Sequence, residues 1–95
     1  MAELEIATET DQQQKTEHLP PFKVVLHNDE VNSFEHVIIT ILKLTPLKES
    51  EAVAKTLEAH ETGQSVLLIT SKERAELYVE QFASFSLTVT CEPDE

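Results

Sequence analysis

The sequence predicts a small α+β domain of order β-α-α-β-α-β, in two layers: a three-stranded sheet with three helices on one face. Three observations carry this. Short segments at positions 22–27, 65–70 and 87–91 are rich in β-branched and apolar residues, the first and last of them alternating inward with outward. Between them lie stretches whose apolar residues recur at helical spacing. Breakers and caps stand where these elements should end. The 95 residues, 40% of them hydrophobic, suffice for one domain and its core.

Taken in order, "FKVVLH" sets Phe22, Val24 and Leu26 against Lys23, Val25 and His27, a strand with at least one buried face. A polar corner, Asn28 to Asn32, follows. Asn32 and Glu35 have the spacing of a capping box, with Asn32 expected to cap and Glu35 to reach back. Phe34, Val37, Ile38, Ile41 and Leu42 give the first helix its apolar stripe, and His36, Thr40 and Lys43 its wet face. Pro46 ends it by disfavouring helical geometry at Thr45.

A second helix is expected from Leu47 to Glu61, its weakly apolar face formed by Ala52, Val53, Thr56, Leu57, Ala59 and His60, with Gly63 as its stop. "SVLLIT" reads as a short apolar strand. In the third helix Ala75, Tyr78, Val79 and Phe82 share a stripe behind a Ser71 cap. "LTVTC" closes the sheet, with Leu87, Val89 and Cys91 inward and Thr88 and Thr90 outward. Residues 1–21, ending in Pro20-Pro21, are expected to form a flexible N-terminal extension, and residues 22–95 the domain.

Bulk chemistry excludes several classes. A formal net charge of −11 opposes nucleic-acid binding, which needs clustered Lys and Arg, and disfavours anionic membranes. No apolar run approaches the ~18 residues of a membrane span. One cysteine suits a reducing compartment, and the N-terminus lacks the pattern of a secretory signal, so a cytoplasmic protein is expected. One glycine rules out phosphate loops, and the four histidines show no ligand spacing, so no metal or cofactor is expected. No catalytic constellation is evident; the expectation is a non-enzyme.

The corner is richer in side-chain oxygen than a turn requires. Were His60 to reach it, Asn28, Asp29 and a neutral imidazole would stand beside an apolar recess between the first two helices. Such a site suits an ammonium group, which brings three donors and a charge. An internal peptide bond brings one donor and leaves buried acceptors unpaired, at about 1–3 kcal/mol each. The site would then read the first residue of a polypeptide. Each residue also has a plainer role open to it: Asn28 as a turn residue, Asp29 and Glu30 as a solvated pair, His60 as a helix-terminal His, the apolar residues as core.

"FKVVLHNDEVNSFEHVI", with "AHETG" at positions 59–63, resembles the ClpS adaptors. The resemblance implies a protein that binds substrates beginning with Leu, Phe, Tyr or Trp. It would deliver them to a Clp-family AAA+ unfoldase, docking on the unfoldase's N-terminal domain, as a monomer. By position, Asn28, Asp29 and His60 match the residues that hold the α-amino group, with Glu30 and Asn32 as further candidates. Phe34, Val37, Ile38, Ile41, Thr56 and Ala59 match or adjoin the side-chain pocket, and Glu73 matches a residue of the unfoldase-contacting surface. Glu30 stands where Asp is common, Asn32 where Thr is usual and Phe34 where Met is frequent. Thr56 and Ala59 replace larger residues, which implies a reshaped pocket. Two other readings stay open: a regulator that docks on the unfoldase without reading degrons, and a structural interaction module.

Overall fold

The computed structural model describes residues 19–94. Six elements follow in chain order: β1 (Phe22–His27), α1 (Phe34–Leu44), α2 (Glu49–Thr62), β2 (Gln64–Thr70), α3 (Lys72–Ala83) and β3 (Val89–Pro93). Fold class and element order are as the sequence predicts. The first eighteen residues of the expected extension lie outside the described residues. Its last, Pro21, accepts a hydrogen bond from the Asp94 N–H at 2.8 Å.

The first strand is the middle one. The sheet runs β2-β1-β3, and β1 pairs antiparallel with both neighbours. Val24 and Leu26 point into the core with Ile41, Ala52, Leu67, Ala75, Phe82 and Leu87. Val25, expected to face outward, is also buried, at 2% exposure, because a central strand has a neighbour on each side: it pairs with Val66 and Thr90. The register with β2 slips between Val24 and Val25, so two β2 residues, Leu67 and Leu68, both pack against the core, as a bulge permits.

Several boundaries and faces differ from the sequence reading. Ser33, not Asn32, caps α1: its Oγ accepts the His36 N–H at 3.1 Å. Asn32 is thereby released from the expected capping box. Thr40, expected on the wet face, is 2% exposed, and its hydroxyl is satisfied by donating to the His36 carbonyl at 2.7 Å. Conversely Phe34 and Leu42 are 44% and 38% exposed, because the helix buries only its Val37–Thr40–Ile41 face. α2 starts two residues later than expected, where the Glu51 carboxylate accepts the Lys48 N–H at 2.9 Å. β3 sits two residues further along than expected, although Leu87 and Val89 point inward and Thr88 and Thr90 outward as predicted. Thr45 and Ser71 mark helix ends as expected.

Gly63 decides where α2 hands over to β2. Its φ of 101° lies in the left-handed region, which glycine occupies without steric cost. The Gly63 N–H donates to the Ala59 carbonyl at 2.9 Å, and the Gly63 carbonyl accepts the Asn28 N–H at 3.0 Å. The end of α2 is therefore pinned to the first residue of the polar corner.

Candidate peptide-binding site

The end of β1, the corner, the start of α1 and the last half of α2 enclose a recess. Its lining is Leu26, His27, Asn28, Asp29, Asn32, Phe34, Val37, Thr56 and Ala59, and its volume is about 20 Å³, room for about one water molecule. Polar groups of the corner form one side and apolar groups of the helices the other. The Thr56 hydroxyl donates to the Ala52 carbonyl at 2.8 Å, so its polar atom is spent within α2.

Seven of the expected site residues meet here: Asn28, Asp29, Asn32, Phe34, Val37, Thr56 and Ala59. Two expected pocket residues do not line it. Ile41 is fully buried in the core and Ile38 packs against that core, both being a turn or more along α1 from the corner. Glu30 is exposed and outside the lining, and Glu73 is exposed in the first turn of α3. His60 is also exposed and does not line the recess. It stands at the mouth, its ring 5.0 Å from that of Phe34, edge to face at 76°. Two lining residues escaped the sequence reading, Leu26 and His27. Their signal was adjacency to the corner; alternation gave Leu26 to the core and His27 to the outer face, where its Nε2 lies 2.7 Å from Thr90 Oγ1.

Asp29 holds the corner together. Oδ1 accepts the backbone N–H groups of Val31 at 3.0 Å and Asn32 at 2.7 Å, while Oδ2 accepts the Asn32 side-chain amide at 3.1 Å. Burial pushes its pKa up, but the bonds from Asn32 and Val31, with the charge of His36, outweigh this. The carboxyl titrates below its ordinary value of 3.8. A carboxylate that stays ionised beside an apolar recess attracts cationic donors.

The sequence pattern of the family described as "ATP-dependent Clp protease adaptor protein ClpS" matches residues 17–90. The chain belongs to the ClpS family. The Clp protease adapter ClpS of Synechococcus sp. (strain CC9902) is 44% identical over 77 residues, covering 80% of this chain and 74% of that one. The ClpS adapter of Gloeobacter violaceus is 36% identical over 92 residues, covering 94% of this chain and 99% of its own. Among solved structures, that of Agrobacterium tumefaciens ClpS2 bound to L-phenylalaninamide superposes with a TM-score of 0.71 at 25% identity, over 79% of this chain and 98% of that one. The α+β fold and a role as a Clp protease adaptor follow for this ClpS chain. Among the described residues no helix is long and apolar enough to cross a membrane.

Proposed function

We propose that this ClpS-family chain is a non-enzymatic, cytoplasmic adaptor that grips the first residue of a substrate. Its side chain would be hydrophobic or aromatic, and the adaptor would carry it to the N-terminal domain of a Clp-family AAA+ unfoldase. The observation that carries this is the recess: Asn28 and ionised Asp29 on one side, Val37, Thr56 and Ala59 on the other, with His60 at the mouth. An ammonium donates to the corner and to a neutral imidazole while its side chain enters between the helices. The A. tumefaciens relative's ligand, an amino-acid amide with a free α-amine and an aromatic side chain, has this chemistry.

The recess as it stands has room for about one water molecule, less than the four carbons of a Leu side chain, so full entry requires a wall to move. Phe34 is the wall that can, being 44% exposed and held by its edge contact with His60, an interaction of about 0.5–1.5 kcal/mol. For docking, Glu73 with its exposed α3 neighbours Arg74 and Leu77 offers a surface, whereas Tyr78 is buried against Phe82.

The small recess also favours a second reading, docking on the unfoldase without degron reading. Fluorescence anisotropy with Leu-, Phe- and Ala-starting peptides, each free and N-acetylated, decides between them. Binding of free Leu or Phe peptides that acetylation abolishes is expected. Equal binding of acetylated and free peptides refutes the ammonium argument, and no binding of any peptide leaves the docking regulator.

A further inference from the structure

The corner is braced by a loop more than fifty residues away in sequence. The side-chain amide of Asn32 has two N–H donors. One meets Asp29 Oδ2 at 3.1 Å and the other meets the Ser86 carbonyl at 2.8 Å. His36 Nε2 lies 2.9 Å from the adjoining carbonyl, that of Phe85, which requires the proton on Nε2 because a carbonyl only accepts. Among the described residues Ser86 is the one non-glycine with positive φ, 67°, a conformation that a Cβ disfavours. Such a turn persists where its surroundings over-determine it. Here the turn presents two successive carbonyls to the start of α1, and the Lys43 ammonium sits 5.3 Å from the Phe85 ring centroid.

An ionised carboxylate offers about four lone-pair sites. Three on Asp29 are taken: two on Oδ1 by backbone N–H groups and one on Oδ2 by Asn32. The remaining site is on Oδ2, and Asp29 lines the recess. We propose that Asn32 is a positioning residue of the amine site: by bonding Asp29 and the Ser86 carbonyl together, it fixes the Oδ2 site that the peptide's first nitrogen meets. The inference rests on the degron-reading function proposed above and names the residue that orients its carboxylate. Thr has a single O–H donor and cannot make both bonds, Asp has no donor, and Gln adds a methylene between backbone and amide. Ser33 caps α1, which leaves the Asn32 side chain for this brace.

The test uses the full chain, Asn32→Ala and Asn32→Thr, with two readouts. Without peptide, the Asp29 carboxyl is titrated by NMR. Around it stand His36 from α1, His27 from β1, Glu30 beside it and His60 from α2 at the mouth, and each is followed in the same titration. With a Leu-starting peptide, affinity is measured at neutral pH. In Asn32→Ala the Asp29 midpoint should rise toward the ordinary Asp value and affinity should fall about tenfold, the loss of one oriented hydrogen bond, and in Asn32→Thr, which keeps one donor, both changes should be in the same direction and smaller. Variants that melt earlier yet keep the Asp29 midpoint and the affinity of their folded fraction overturn the proposal, since Asn32 would then only brace the fold. Should the wild type bind no free-amine peptide, the function proposed above fails, and the Asp29 midpoint alone decides whether Asn32 orients that carboxylate.

Discussion

Asp29→Asn isolates what the corner contributes to stability. The variant keeps one carbonyl oxygen for the Val31 and Asn32 backbone N–H groups, but it sets an NH₂ against the Asn32 amide that Oδ2 accepted at 3.1 Å. One bond is lost and two lose the help of a full charge. Removing a comparable capping side chain costs about 0.5–2 kcal/mol, and partial solvent screening places this case near 1 kcal/mol at pH 7. In a domain of this size that lowers Tm by about 4–8 °C. Acid separates this cause from others. The native pKa of Asp29 lies below its ordinary value of 3.8, so the unfolded chain binds its proton first as pH falls. The stabilisation is complete above that ordinary value and is lost as pH drops through the lower native one. Asn does not titrate, so the gap between wild type and variant should be full at pH 7 and pH 5 and should narrow below about pH 4. Urea unfolding followed by far-UV circular dichroism at these pH values measures it, with the other carboxylates cancelling in the difference. A gap as wide at pH 3 as at pH 7 would refute the reasoning.

Three further outcomes are expected. His60→Ala should weaken binding of a Leu-starting peptide about tenfold, the loss of one acceptor for the ammonium, read by anisotropy. Ala59→Leu adds three carbons to a wall of a 20 Å³ recess, so it should block peptide binding while costing about 1–3 kcal/mol of stability by overpacking, read by anisotropy and urea titration. Ser86→Gly removes the Cβ from a left-handed turn; relief of about 1–2 kcal/mol of strain, less the roughly 0.4–1 kcal/mol entropic cost of a glycine in the unfolded chain, should leave a small net stabilisation, visible as a small rise in Tm.

Much of this fold was legible because its signals are local. Alternation in "LTVT", the stripe of Ala75, Tyr78 and Phe82, Pro46 after α1 and Gly63 after α2 each act over a few residues, and the structure keeps them; in "FKVVLH" it keeps Val24 and Leu26 inward and buries Val25 as well. The apolar lining at Phe34, Val37, Thr56 and Ala59 was legible only through resemblance, because recess and core share one residue chemistry. The errors have equally physical causes. Periodicity gave Thr40 to solvent, yet a hydroxyl that can donate to its own helix loses little by burial. Asn32 and Ser33 are both good caps, and sequence cannot choose between neighbours. Ile38 and Ile41 share the stripe that holds Val37, but only Val37 stands near enough to the corner to line the recess.

By itself the sequence determined the elements, their order, the acidic character and the oxygen-rich corner, since each depends on neighbours in the chain or on composition. Only tertiary structure decided that β1 lies in the middle of the sheet, that Gly63 pins α2 to Asn28, and that His60 meets Phe34 at the mouth. It also joined Asn32 to Ser86 across fifty-four positions. Hydrogen bonds and ring contacts act over a few ångströms of space, and a linear chain carries no local mark of which distant carbonyl will arrive there.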